Sequence, residues 1–129
     1  MGYYMIQVDS HFHIDANKIP SVIAAIHTLG NKNEYSNFAL VNNEFVNSND
    51  IVEVFGFWRW DISLNAKGDV SYIAFNGEKL GDDFVLFKTI APFVRAGSYI
   101  EMRGEETDMW RWYFDGETCV EKTPTVIWS

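Results

Sequence analysis

The chain lacks the means to staple itself covalently. It has one cysteine, Cys119, in 129 residues, and a single thiol cannot close an internal disulfide. That excludes a disulfide-built secreted scaffold and makes a reducing cytoplasm the expected setting. Long apolar runs are also missing: none approaches the roughly 20 residues that a membrane helix needs. The start, MGYYMIQVDSHF, has no basic opening and no long apolar centre, so a secretory signal is not expected. Gly2 follows Met1, but Ile6 stands where a myristoylation pattern needs Ser or Thr. Cations are scarce: 10 Lys+Arg face 18 Asp+Glu, a net charge of −8. That balance argues against direct binding to nucleic-acid phosphates or to anionic lipid. P-loop, G-x-G-x-x-G and G-x-S-x-G motifs are absent.

What is present is core-forming material. Hydrophobic residues make up 47% of the chain, with 5 Trp, 6 Tyr and 10 Phe. This excludes a disordered chain and suits a single domain over 1–129 with one core. The negative charge is uneven. From Ser98 to Glu121 stand Glu101, Glu105, Glu106, Asp108, Asp115, Glu117 and Glu121 against Arg103 and Arg111, a net −5 of the total −8.

The chain reads as β-α-loop-α-β-β-α-β-β-β. Tyr3 to Val8 is a β-prone strand with Tyr4, Ile6 and Val8 on one face. After an extended His11-Phe12-His13-Ile14, Asp15 or Asn17 is placed to cap a helix. There Ile19, Val22, Ile23, Ile26 and Leu29 hold helical spacing until Gly30. The segment 31–49, with seven asparagines, is a long loop. Asp50, with Glu53 three residues on, resembles a capping box for a short helix carrying Ile51, Val54, Phe55 and Trp58 on one face. Trp58, Trp60, Ile62 and Leu64 then alternate with Arg59, Asp61, Ser63 and Asn65 as a strand. Lys67-Gly68-Asp69 turns it, and Val70 to Phe75 returns.

Asp82 is placed to cap a third helix bearing Phe84, Phe87, Ile90, Ala91 and Val94, ended by Pro92 and Gly97. Ser98 to Arg103 and Met109 to Phe114 alternate as strands around a polar turn. Asp115-Gly116 is a hairpin turn, Glu117 to Glu121 a further strand, and Pro124 to Trp128 a short edge strand. Hairpins with intervening helices give the expected class: α+β, a mostly antiparallel sheet with two or three helices packed on one face.

The triplet Trp-Arg-Trp occurs twice, at 58–60 and 110–112. With the tryptophans turned under the helices, the open face should carry Arg59, Asp61, Ser63, Tyr99, Glu101, Arg103, Arg111 and Tyr113. Seven of these are the candidate binding residues: Arg59, Asp61, Tyr99, Glu101, Arg103, Arg111 and Tyr113. Arginine forks and tyrosine rings are favoured at interface hot spots.

Other chemistry is weakly marked. His11 and His13 share a strand face and His27 lies on the first helix, but H-x-H alone does not make a zinc site, and no metal site is nominated. Nothing in the spacing selects a carboxylate pair such as Glu101 with Asp115 or Asp82 with Asp83. Cys119 has no nominated base. No catalytic residue and no cofactor are expected.

Several short stretches carry a resemblance: Gly-Tyr-Tyr at the start, Gly77-Glu78-Lys79-Leu80-Gly81-Asp82, Ile90-Ala91-Pro92-Phe93-Val94, Gly97-Ser98-Tyr99-Ile100-Glu101, Arg103-Gly104-Glu105 and Trp110-Arg111-Trp112. Together they resemble a family of small, uncharacterised proteins of bacteriophages, prophages and other mobile elements. The family usually follows Arg-Gly-Glu with an acidic residue and Gly, where this chain has Glu106-Thr107. The resemblance implies a mobile-element accessory protein that binds a host component, and it brings no activity, cofactor or catalytic residue. The leading expectation is therefore a cytoplasmic, non-catalytic protein-binding module with a protein partner; a homodimer is left open. The alternative is a small-ligand binder or hydrolase with a pocket beneath the Asn-rich loop 31–49.

Overall fold

The computed structural model describes residues 3–30 and 48–128. The asparagine-rich loop, apart from Ser48 and Asn49, lies outside the described residues, as does any pocket built by it. Among the described residues the order is β1 (Met5–His11), a 3-10 turn (Ala16–Lys18), α1 (Ile19–Gly30), α2 (Ile51–Phe57), β2 (Trp60–Leu64) and β3 (Val70–Phe75). These are followed by α3 (Asp83–Ile90), a second 3-10 turn (Ala91–Phe93), β4 (Tyr99–Gly104), β5 (Met109–Phe114) and β6 (Cys119–Lys122). The α+β class and the element order are as the sequence predicts.

The strands form two antiparallel sheets, one of four strands in the order β1-β4-β5-β6 and the hairpin β2-β3. β1 and β3 lie side by side without a continuous ladder. Bridges Tyr4↔Lys79 and Ile14↔Val70 tie their ends. Between these, the Gln7 carboxamide acts as a surrogate peptide group: its Nε2 donates to the Ile73 carbonyl at 2.9 Å and its Oε1 accepts from Phe75 N at 2.9 Å. A cleft of about 450 Å³ remains beside it, lined in part by Ile6, Val8, Tyr72 and Ala74.

The helices cover one side. Val22, Ile23, Ile26 and Leu29 of α1, Ile51, Val54 and Phe55 of α2, and Leu86, Phe87 and Ile90 of α3 are buried. The inner sheet positions Met5, Ile100, Met102, Trp110, Trp112, Phe114, Trp60 and Ile73 are buried with them. Phe87 is the hub, with ring centroids 5.0 Å from Trp60, 5.2 Å from Trp112 and 5.9 Å from Phe114. Such contacts add about 0.5–1.5 kcal/mol per aromatic pair beyond the area they bury.

Several local expectations need correction. Tyr4, Ile6 and Val8 do share a face, but it is the outer one. Met5 points inward, and a bulge between Gln7 and Asp9 shifts the register. Asp50 caps α2 as expected, accepting from Val52 N at 2.9 Å; Glu53, however, accepts from Ser48 Oγ and Asp50 N donates to that same hydroxyl, so Ser48 completes the cap. Neither Asp15 nor Asp82 makes a side-chain capping bond. Asp83, the first helical residue, instead accepts from Gly81 N at 2.9 Å and so fastens the chain that leads into the helix. Pro124 to Trp128 forms no strand; it leaves β6 as an exposed tail. The last hairpin strand also starts later than predicted, at Cys119 rather than Glu117.

Candidate functional site

Strand register turns the open side of the four-stranded sheet into rows. His11, Tyr99, Tyr113 and Val120 form one row across β1, β4, β5 and β6. Asp9, Glu101, Arg111 and Lys122 form the next, and Ile6, Arg103 and Met109 a third. Among the described residues no helix lies over these rows, because all the helices pack on the other side.

The side chains hold one another in place. Tyr99 Oη donates to Asp9 Oδ2 at 2.9 Å. The Arg111 guanidinium lies over the Tyr99 ring, 4.4 Å from its centroid, while Arg111 Nε donates to Glu101 Oε1 at 2.6 Å. The His11 ring stands 5.6 Å from that of Tyr99, and Lys122 Nζ sits 4.3 Å over the Tyr113 ring. The electrostatics follow these contacts. The Tyr99 hydroxyl, helped by Ser10 N, holds the Asp9 carboxyl below its ordinary range, and Asp9 in turn raises the Tyr99 phenol. Glu101 raises Arg111, which stays charged throughout.

Five of the seven predicted residues thus come together: Tyr99, Glu101, Arg103, Arg111 and Tyr113. Arg59 and Asp61 do not. Arg59 precedes β2 with φ at 72°, in the left-handed region that non-glycine residues rarely occupy. This turns its side chain away from the sheet face. Nη1 donates to the Lys79 carbonyl, and Nη2 meets both oxygens of Asp83 at 3.2 and 3.1 Å. Asp83 is 1% exposed and also accepts from Trp60 Nε1 at 2.9 Å. Asp61 lies on the separate hairpin, 3.4 Å from Asn76 Nδ2. Asp9, His11 and Lys122 belong to the face and were not predicted. Their membership depends on β1 pairing with β4 and on β6 ending at Lys122, neither of which is a local signal.

The acidic hairpins are less open than their composition suggests. Five of the seven carboxylates accept hydrogen bonds within the protein. Glu101 binds Arg111, Glu105 binds Tyr4 N, and Asp108 binds the Tyr3 hydroxyl. Asp115 binds Glu117 N and Thr118 N in the turn, and Glu121 binds Trp112 Nε1. Asp115 is thereby held below its ordinary range, chiefly by Thr118 N. Three of the four carboxylates in the candidate acid–base pairs are thus committed: Glu101 to Arg111, Asp115 to its turn, and Asp83 to Arg59. Cys119 is buried, and burial pushes its thiol up to about 12, the reverse of what a nucleophile requires.

The three histidines occupy separate settings. His11 is on the outer face, and His27 contacts the Ser48 carbonyl at 2.7 Å. His13 follows β1 and meets two carboxylates: its Nε2 is 3.2 Å from Asp15 Oδ1 and 3.4 Å from Asp69 Oδ2. Asp69 comes from the β2–β3 turn, and its other oxygen accepts from Ala16 N at 2.7 Å, the main reason its carboxyl lies below the ordinary range. Arg95 Nη2 reaches Asp15 Oδ1 at 2.7 Å. Comparison with protein families, with curated proteins and with solved structures finds no match to this chain.

Proposed function

We propose that the protein is a non-catalytic binding module that docks a protein partner on the outer face of its four-stranded sheet. The observation that carries this reading is the interlocked set Asp9–Tyr99–Arg111–Glu101, flanked by Tyr113 and Arg103. Tyrosine and arginine side chains already held by neighbours lose little freedom on binding, and immobilising such a side chain otherwise costs about 0.5–1.5 kcal/mol. Arg103, without a carboxylate partner among the described residues, is a cation open to the partner. The resemblance to mobile-element proteins supports a host component as that partner, and the single cysteine supports a cytoplasmic setting. Both readings belong to this proposal.

The test is capture from host lysate by the wild-type chain and by a Tyr99→Ala, Arg111→Ala double variant. A partner held by the wild type and lost by the variant is expected. Identical partner lists from both proteins would remove this face from consideration.

A further inference from the structure

We propose that His13, Asp15 and Asp69 form a binding site for one divalent transition-metal ion, with Zn²⁺ the best fit. The three ligand atoms come from two pieces of chain: His13 and Asp15 from the stretch between β1 and the first 3-10 turn, and Asp69 from the β2–β3 turn. They lie within 4.8 Å of one another. The site is distinct from the outer sheet face and does not depend on it.

The geometry at His13 is the first argument. Its Nε2 is out of contact with water, with two carboxylate oxygens at 3.2 and 3.4 Å, yet it lines up with neither well enough to form a hydrogen bond. A buried polar atom left unsatisfied in this way calls for an explanation, and a bound ion is one. The separations agree with that explanation. Two ligand atoms bound to zinc at its usual distances and at a tetrahedral angle lie about 3.3–3.4 Å apart. The third separation, between the two carboxylates, falls within the 4.8 Å that bounds the cluster.

The surroundings are the second argument. Metal ligands are usually oriented by further hydrogen bonds behind them. Here Ala16 N holds Asp69 by its remote oxygen, while Arg95 Nη2 meets at 2.7 Å the same Asp15 oxygen that faces His13, so a bound ion would share that oxygen with the guanidinium. The His13 backbone is fixed on both sides: its N–H donates to Ser98 Oγ at 3.2 Å, and its carbonyl accepts from Arg95 N at 2.9 Å. The ligands are therefore positioned by contacts of their own. One imidazole with two carboxylates suits zinc or manganese better than magnesium or calcium, which take oxygen ligands. A bound ion would tie the strand-to-helix crossing to the β2–β3 turn and so join the two sheets at one end. With three protein ligands, one coordination position stays open.

The experiment uses the full chain, freed of any affinity tag and stripped with chelator, then titrated calorimetrically with ZnCl₂. Saturable binding of one ion per chain is expected. At a hundredfold excess of free zinc over its dissociation constant, the melting temperature should rise by about 5–10 °C. MgCl₂ and CaCl₂ should have no such effect. His13→Gln should weaken zinc binding at least tenfold, as should Asp69→Asn, whose amide oxygen can still accept from Ala16 N. His11→Gln and His27→Gln should bind as the wild type does. Co²⁺ provides a reading on the wild type itself, independent of how His13→Gln folds: a four-coordinate visible spectrum with one paramagnetically shifted imidazole. Absence of saturable zinc binding to the wild type would overturn the proposal. So would full-strength binding by a folded His13→Gln variant, or a Co²⁺ spectrum like that of the aqueous ion.

Discussion

The two Trp-Arg-Trp triplets are the same three residues put to different uses. At 110–112 the triplet runs through the middle of β5. Both tryptophans face the helices, and Arg111 lies in the open over the Tyr99 ring. At 58–60 it straddles the joint between α2 and β2. Trp58 and Trp60 are again buried, but a left-handed residue between them turns Arg59 down to the buried Asp83. Gly77 and Gly81 leave room for it, since a Cβ on Gly81 would stand 2.7 Å from Arg59 Nη2. Burial of the tryptophans is therefore common to both triplets. The fate of the arginine depends on whether the backbone keeps its two-residue alternation.

The strongest way to break this comparison is at its shared half. Trp112 is fully buried against Phe87 and Trp60, and truncating such an aromatic typically costs about 3–5 kcal/mol. Trp112→Ala should lose most of its cooperative melting transition or fail to express in soluble form. A wild-type melting curve would invert the assignment of the sheet faces.

The arginines provide the next test. Arg59→Gly relieves the left-handed backbone but leaves Asp83 buried without its cation. Loss of one partner of a buried pair costs about 3–5 kcal/mol, and glycine restores about 1 kcal/mol of that by easing the backbone. Denaturant titration should therefore show a net loss of about 2–4 kcal/mol. Arg111→Ala, which removes an exposed pair, should cost less than about 1 kcal/mol. Equal losses at the two sites would end the distinction between them.

The smallest effect concerns pH. Asp9 is depressed in the folded state, so its contribution is present above its unfolded range and is lost as pH falls through the folded value. Tyr99 is raised, so its contribution is present below the unfolded phenol range and is lost as pH rises through the folded value. Tyr99→Phe should flatten the stability–pH curve on both sides by lowering its neutral plateau slightly. An unaltered acid limb would show that Asp9 does not rely on Tyr99.

This pattern separates what was legible in the sequence from what was not. Tyr99 to Arg103 and Met109 to Phe114 alternate without interruption, so facing could be read residue by residue. The helix at Val22, Ile23, Ile26 and Leu29 was equally plain. Arg59 was not, because the alternation is broken by one backbone angle and its partner lies 24 residues away. Asp9 and His11 were missed for a related reason: their neighbours are set by the pairing of β1 with β4, across some 90 residues. The carboxylates around His13 were missed likewise, since Asp69 reaches it only through the folding of the hairpin.

The Gln7 carboxamide bears on the solubility of the chain. β1 is an edge strand of the larger sheet, and it carries Ile6, 54% exposed, with Val8 beside it. An apolar edge of this kind invites the strand of another molecule to pair with it, the first step of fibril growth. Here the neighbouring hairpin stands at that edge, latched by a side chain at its middle and by bridges at its ends. A stranger's strand would have to unlatch the hairpin before it could add a rung. One glutamine, at a half-buried position that strand propensity alone would leave unmarked, thus helps the chain to keep to itself.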